Sequence, residues 1–140
     1  MATKQQDIGL VILRVGIGIM MILHGYPKLM GGVEQWEGLG QAMGVFGITF
    51  APVFWGFIAA LTEVAGGIAL AVGLLYRPFL ILLSIEMVVA AGMHISQGDG
   101  LVKWSHAVEL LILFISLLFI GTGRYALNRR LPGFKDHWFG

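Results

Sequence analysis

The sequence predicts an all-α integral membrane protein, built as an antiparallel up-down bundle of four membrane-spanning helices. Hydrophobic residues make up 57% of the 140 residues and charged residues only 12%, which is about half the charged share of a soluble domain. A soluble domain of this length could not bury so much apolar surface. The apolar residues also fall into four runs, each long enough, at about 20 residues, to cross the hydrocarbon core of a bilayer.

The four spans are predicted at about residues 8–29, 51–75, 79–95 and 104–122, followed by a polar tail at residues 124–140. Tyr76-Arg77-Pro78 breaks the second span from the third, and Gln97-Gly98-Asp99-Gly100 forms a polar turn before the fourth. Such short connections favour antiparallel neighbours. The length allows one domain, residues 1–140. Dense small residues on the first two spans predict close helix packing in lipid.

Charge and cysteine content exclude several functions. The net charge of +1 gives no basic field for binding nucleic acid, so no nucleic-acid partner is expected. Because the sequence has no cysteine, thiolate catalysis, disulfides and cysteine-held iron–sulfur clusters are excluded on this chain. Lys4 and Asp7 precede the first span, and this span is too long for the apolar part of a signal peptide. We therefore expect it to be a retained helix.

The distribution of lysine and arginine predicts that both termini are cytoplasmic, since cytoplasmic connections carry an excess of these residues. The N-terminal segment, the second connection and the tail together hold Lys4, Arg77, Arg124, Arg129, Arg130 and Lys135. The opposite side holds only Lys28 and Lys103. The bundle should therefore have both ends of the chain on the cytoplasmic side.

The first extracytoplasmic connection, residues 30–50, is too long for a simple turn. Its apolar residues recur at helical spacing, as Val33, Trp36, Leu39 and Met43 show. This spacing predicts a short helix lying in the membrane interface. Two interpretations remain open. The helix is either a lid over the mouth of the bundle or an anchor at the membrane surface, where tryptophan is common.

Every span carries at least one ionisable residue. They are Arg14, His24, Glu63, Glu86, His94, His106 and Glu109. A charge at the centre of a bilayer costs several kcal/mol, and such side chains normally face the bundle interior and find partners there. We therefore expect these residues to turn inward around a shared site.

Arg14, Glu63 and Glu86 form the group predicted nearer the cytoplasm, roughly 9 to 18 Å from that surface at a rise of about 1.5 Å per residue. An arginine keeps its proton and should hold one carboxylate ionised. Burial and the like charge then favour the protonated form of the second carboxyl. This group suits proton transfer or a hydrogen bond to a carbonyl. The alternative is an ion pair that only fixes helix packing.

His24, His94, His106 and Glu109 form the group predicted nearer the opposite surface, roughly 22 to 27 Å in. The three histidines together have the chemistry of a transition-metal site. However, only His106-x-x-Glu109 has a spacing that places two ligands on one face, so neither a metal nor a haem is expected. Histidine exchanges protons near neutral pH, and we expect the group to bind a quinone or another small-molecule head group.

Several motifs make the sequence similar to the DoxX family of small four-span membrane proteins. The matching stretches are Leu13-Arg14, His24-Gly25-Tyr26-Pro27-Lys28-Leu29, Glu63-x-x-Gly66-Gly67, Gly73-Leu74-x-x-Arg77, residues 90–94 and Gly121-x-Gly123-Arg124-Tyr125. They occur in the family's order along nearly the whole chain. The resemblance implies the four-helix bundle and a bacterial inner-membrane location. It also implies kinship with the membrane subunit of a thiosulfate:quinone oxidoreductase.

The resemblance leads to two functional hypotheses. In the first, the chain is a quinone-interacting component of a redox system, with Glu63, Glu86 and Arg14 as catalytic residues. The head group would be bound by His24, Lys28, His94 and Glu109. Electrons would come from a partner such as a soluble redox enzyme, and whether this chain is itself an enzyme stays open. In the second, it is a transporter of small molecules, which would have to form a homo-oligomer, or a scaffold for partner proteins.

Overall fold

The computed structural model describes residues 3–131, and this part of the chain is helical without strands. Its α-helices are α1 (Lys4–Met30), α2 (Gly32–Gly40), α3 (Pro52–Val72), α4 (Tyr76–Ser96) and α5 (Leu101–Ile120). All except α2 are long and apolar enough to cross a membrane. The predicted fold class is therefore confirmed. Residues 132–140 of the predicted tail, with Lys135, lie outside the described residues.

Three helices, α1, α4 and α5, begin a few residues earlier than predicted, and local chemistry explains the first two. Thr3 caps α1, because its hydroxyl accepts a hydrogen bond from the Gln6 backbone N–H while the Gln6 side chain accepts one from the Thr3 backbone. In the second case, Gly73 and Leu75 adopt left-handed backbone angles, with φ of 72° and 49°. They turn the chain within three residues, so that α4 already begins at Tyr76. Pro78 lies in its first turn, where a missing N–H is tolerated.

Glycines bring α1 and α3 into backbone contact. A Cβ on Gly18 would lie 2.5 Å from the carbonyl oxygen of Gly67, and one on Gly67 would lie 2.6 Å from that of Gly18. A side chain at either position would therefore push the helices apart. Such close approach through small residues is the usual way in which helices associate in lipid.

The two ends of the bundle differ in how they are filled. One end of the bundle is where α1 begins, where α3 turns into α4 and where α5 ends. We call this end the base. Fully buried large side chains occupy the half of the bundle nearest the base. They are Leu70, Tyr76, Leu80, Leu83, Phe114 and Leu117. The opposite end holds less apolar packing and contains most of the ionisable groups.

A covering segment, residues 32–46, lies over that opposite end and consists of α2 and a 3₁₀ turn, Gln41–Phe46. Gly40 and Gly56 let α2 pack directly on α3, because a Cβ on Gly40 would overlap the Pro52 carbonyl and one on Gly56 the Trp36 carbonyl. The Trp36 indole N–H also donates to the Lys28 carbonyl oxygen at 3.0 Å. The predicted short helix is therefore present, packed on the bundle.

Candidate functional site

A cavity of about 440 Å³ opens beneath the covering segment, within the usual size range of small-molecule sites. Gly38, Leu39 and Ala42 of the covering segment line it together with residues of all four long helices. This arrangement agrees with the lid interpretation of the segment. The ionisable residues lining the cavity are His24, Lys28, Glu63, Glu86, His94, Lys103 and His106.

An ion pair between Lys28 and Glu63 lies on one wall of the cavity. The Lys28 ammonium donates to Glu63 Oε1 at 2.6 Å, and the two side chains are 32% and 4% exposed. Gly25 makes this contact possible, because α1 approaches α3 so closely there that a Cβ would lie 2.6 Å from the Cβ of Glu63. Lys28 lies three residues further along α1, on the same helix face. It can therefore reach the buried carboxylate.

Glu86 lies beside this pair, and its carboxyl group is within hydrogen-bonding reach of Glu63. Within residues 3–131, no protein donor reaches Oε2 of either acid. Two ionised carboxylates can only accept hydrogen bonds and would repel each other. A hydrogen bond between the two carboxyl groups therefore forms only when the pair holds a proton. The predicted meeting of Glu63 and Glu86 is present, with a cation next to it.

The cation beside the carboxyl pair is Lys28 and not Arg14, which was predicted there. The Arg14 Nη2 atom donates to the Tyr125 carbonyl oxygen at 2.6 Å, and its Nη1 atom lies against Gly73. Arg14 therefore secures the chain after α5 to the base and does not line the cavity. It lies about 21 Å from Lys28 along α1, too far to face the same carboxyl pair.

The histidines of the outer group lie around the cavity, but the structure does not bring all three together. The rings of His24 and His106 are 6.0 Å apart between centroids. His94 instead directs its Nδ1 atom to Asp99 Oδ2 at 2.7 Å. Within the described part of the chain, no group of three or more His, Cys, Asp or Glu residues is placed to hold a metal ion. The grouping of His24, His94 and His106 as metal ligands is therefore not supported.

Glu109 was predicted as a ligand-binding residue, but its side chain is exposed and does not line the cavity. It follows His106 by three residues on α5, and only His106 of the two lines the cavity. Glu109 therefore lies outside the cavity, although it is on a membrane-spanning helix.

Asp99 does not line the cavity but contacts His94 and Lys103, which do, and the sequence analysis missed it. Its carboxylate accepts from Lys103 Nζ at 2.8 Å and contacts His94 Nδ1 at 2.7 Å, so it connects the end of α4 to the start of α5. The hydrogen bonds from Lys103 and His94 lower the pKa of Asp99. Its place in a Gln-Gly-Asp-Gly turn suggested only a solvated loop. The five-residue spacing from His94 and the four-residue spacing to Lys103 were the available signals.

A second, more open groove of about 1000 Å³ lies at the base, and it also was not predicted. Asp7 lies on its wall, buried to 3% exposure. The Asp7 carboxylate accepts from the Arg124 backbone N–H at 3.0 Å, and Arg124 Nε lies 3.3 Å from Asp7 Oδ2. These contacts hold the chain after α5 against the start of α1.

The fold and the site together define a small four-span membrane protein with a polar cavity under a covering segment. A model of the DoxX family matches residues 9–95, more than half of the chain, and the protein belongs to this family. The matched range contains all the cavity residues of α1 to α4, while α5 and the chain after it lie outside this range.

Two curated relatives from Escherichia coli strain K12 cover most of the chain. The inner membrane protein YphA is 27% identical over 129 residues, in an alignment that covers 86% of this chain and 89% of the relative. The inner membrane protein YqjF is 29% identical over 133 residues, in an alignment that covers 91% of this chain and 95% of the relative. No solved structure matches the chain at a significant level. The relatives and the four spans together indicate an inner-membrane protein.

Proposed function

We propose that this protein is the quinone-binding membrane component of a redox system, with the quinone head group bound in the cavity under the covering segment. The observation that carries the proposal is the row formed by Lys28, Glu63 and Glu86 on the cavity wall. It combines a cation with two neighbouring carboxyl groups that can share a proton, and the three residues come from three membrane-spanning helices. Groups of this kind in membranes commonly serve proton transfer or ligand binding.

Quinone reduction needs protons, and Glu63 and Glu86 can supply them. A quinone becomes a quinol by taking up two electrons and two protons, and each carbonyl oxygen becomes a hydroxyl group. The proton shared by Glu63 and Glu86 can hydrogen-bond to one carbonyl oxygen and then pass to it. His24 and His106 are both exposed and line the cavity, so they can return protons from water to the acids. The electrons come from a partner redox enzyme, which is oxidised in the same step.

The cavity walls also suit a quinone ring. Met21, Met87, Ala107 and Leu110 supply apolar surface beside the ionisable groups. A site with mostly apolar walls and a few polar groups in fixed positions is typical for small organic ligands. We therefore expect the ring to contact the methionines and the carbonyl oxygens to face the Glu63–Glu86 pair.

The packing below the cavity favours a binding site over a transport path. Between the cavity and the base lies the group of fully buried side chains that includes Leu80, Leu83 and Phe114. In this conformation they leave the cavity open at one end of the bundle only. The transporter hypothesis would require these side chains to move apart, whereas binding at the cavity requires no such change.

A titration of the purified protein with a short-chain quinone tests the proposal. We expect decylubiquinone to bind saturably, with quenching of tryptophan fluorescence as the signal. Glu63→Gln and Glu86→Gln should each weaken binding about tenfold or more, since a lost charged hydrogen bond in a buried site costs roughly 1.5 to 3 kcal/mol. The matched control is Glu109→Gln, which changes an exposed glutamate of another span and should bind as the unmodified protein does.

Two results would contradict the proposal. If the folded protein shows no saturable binding of any quinone analogue, the cavity does not hold a quinone. If Glu109→Gln weakens binding as much as Glu63→Gln, the quinone binds elsewhere on the membrane surface of the protein.

A further inference from the structure

The groove at the base combines basic side chains with apolar walls. Arg77 at the start of α4, Arg124 after α5 and Arg129 in the last 3₁₀ turn line it, together with a single acidic residue, Asp7, among its described lining residues. Arg77 is distant in the sequence from Arg124 and Arg129, and the fold brings all three to one opening. Among the described residues that line the groove, basic side chains therefore outnumber acidic ones.

Apolar residues form the other part of the groove. Leu10 and Leu13 of α1 and Ile120 at the end of α5 line it beside Gly9. Gly9 leaves room there, because a Cβ at this position would meet no atom within 4 Å. Charged and apolar surface thus meet where two membrane-spanning helices end. The headgroup layer of a bilayer lies at that level.

We propose that this groove is a binding site for one anionic phospholipid. The phosphate would lie among the arginine side chains, and an acyl chain would lie along Gly9 and Leu13 of α1. Arginine suits this role because its planar guanidinium group donates two parallel hydrogen bonds to a phosphate. Basic pockets between membrane-spanning helices are known to bind acidic lipid head groups. This site is separate from the quinone cavity, and the proposal does not depend on quinone binding.

The charge and shape of the groove favour a lipid over a soluble anion. Free phosphate would use only the arginines and would leave the apolar wall unoccupied. A phospholipid satisfies both surfaces at once. The contact of Asp7 with the Arg124 backbone and side chain fixes the segment that carries Arg124, so that this wall of the groove is formed before a lipid binds.

Native mass spectrometry of the delipidated full chain can test the site, with dioleoyl-phosphatidylglycerol, dioleoyl-phosphatidylcholine and inorganic phosphate as separate probes. We expect one tightly retained phosphatidylglycerol per chain, weaker retention of phosphatidylcholine and no competition by phosphate. Arg129→Gln should weaken phosphatidylglycerol retention about fivefold, the effect of one basic residue at a membrane surface. Arg130→Gln is the matched control, because Arg130 is exposed and does not line the groove.

A second pair of variants tests the shape of the groove. Gly9→Phe should fill the groove and abolish specific retention. Gly16→Phe, on the same helix with equally open space around its Cβ but outside the groove, should retain the lipid. Equal retention of both lipids, competition by inorganic phosphate, equal effects of Arg129→Gln and Arg130→Gln, or full retention by a folded Gly9→Phe variant would each overturn the proposal.

Discussion

Lys28 takes the place beside the carboxyl pair that the sequence analysis gave to Arg14. An arginine would have kept the site permanently charged, whereas a lysine is a compact cation on a flexible stem. The Lys28 side chain is about one-third exposed and Glu63 almost fully buried. The ammonium group can therefore move between Glu63 and a ligand in the cavity, while the carboxylate stays fixed.

The Lys28–Glu63 pair leads to a prediction about stability. Lys28→Met should lower the free energy of unfolding by about 2 kcal/mol, less than for a fully buried pair because Lys28 is partly exposed. The double variant Lys28→Met with Glu63→Gln should recover most of this loss, since no unpaired charge remains. Thermal unfolding in detergent measures both effects. Purely additive losses would show that the two residues do not interact.

Asp99 leads to a prediction about acid stability. Because hydrogen bonds from Lys103 and His94 lower its pKa, its contribution is fully present above the ordinary aspartate pKa of about 4. It is lost as the pH falls through the lower pKa of the folded state. Between about pH 6 and pH 3 the unfolding temperature should therefore fall more for the unmodified protein than for Asp99→Asn.

The control for this prediction is Glu34→Gln, which changes an exposed carboxylate on α2. This variant should follow the unmodified protein over the whole pH range. If Asp99→Asn showed the same acid-dependent fall as the unmodified protein, the contacts of Asp99 with His94 and Lys103 would not stabilise the folded state.

At the level of elements, the contact of α1 with α3 determines the position of the ion pair. Gly18 and Gly67 allow the two backbones to touch, and Gly25 continues the contact up to Glu63. A separation of these helices would draw Lys28 away from Glu63. The glycines near the middle of the bundle thus support the geometry of the cavity at its end.

This contact gives a prediction with a control on the same helix. Gly18→Ala and Gly67→Ala should each destabilise the protein by about 1 to 3 kcal/mol, the usual cost of overfilling a packed contact. Gly16→Ala should be neutral or stabilising by up to about 1 kcal/mol, because its Cβ would meet no atom and alanine favours a helix. Thermal unfolding distinguishes the destabilised variants Gly18→Ala and Gly67→Ala from Gly16→Ala. A Gly16→Ala variant as unstable as Gly18→Ala would contradict the proposed packing.

The elements were largely predictable from the sequence, because hydropathy and span length depend on local composition. The short helix within residues 30–50 was also predictable, since its apolar residues recur at helical spacing. The start of α4 was predicted three residues late, because Tyr76-Arg77-Pro78 was interpreted as the break. The turn instead uses left-handed angles at Gly73 and Leu75, which no apolar pattern reveals.

The partners within the site were less predictable than the elements. Depth along each span correctly suggested that Glu63 and Glu86 could meet, but depth says nothing about the direction of a side chain around its helix. Arg14 was grouped with this pair although it lies nearer the base along its own span, and it donates instead to the Tyr125 carbonyl oxygen. Asp99 and Asp7 were missed because each lies at the edge of a span, where charged residues are common and their contacts depend on the tertiary fold.

For the whole molecule, the two ends of the bundle have different proposed roles. One end has the covered cavity with the carboxyl pair, and the base has the arginine-lined groove. Fully buried side chains such as Leu70 and Leu117 separate them. The excess of lysine and arginine predicts that the base faces the cytoplasm, so the cavity would open toward the periplasm.

This orientation can be tested directly, because the sequence contains no cysteine and the unmodified protein gives no background. Gln97→Cys and Arg130→Cys each place one thiol at an exposed position at opposite ends of the bundle. A membrane-impermeant maleimide should label Gln97→Cys in intact spheroplasts, and Arg130→Cys only after permeabilisation. The reverse pattern would place the cavity on the cytoplasmic side.

We propose that Glu63 and Glu86 share a proton that meets a quinone head group in the cavity. Infrared difference spectroscopy upon quinone addition tests it most directly, because a protonated carboxyl group has its own C=O stretching band. We predict that quinone shifts this band in the unmodified protein and that the shift is lost in Glu86→Gln but kept in Glu109→Gln. If quinone addition leaves every carboxyl band unchanged, or if the shift persists in Glu86→Gln, the account is contradicted.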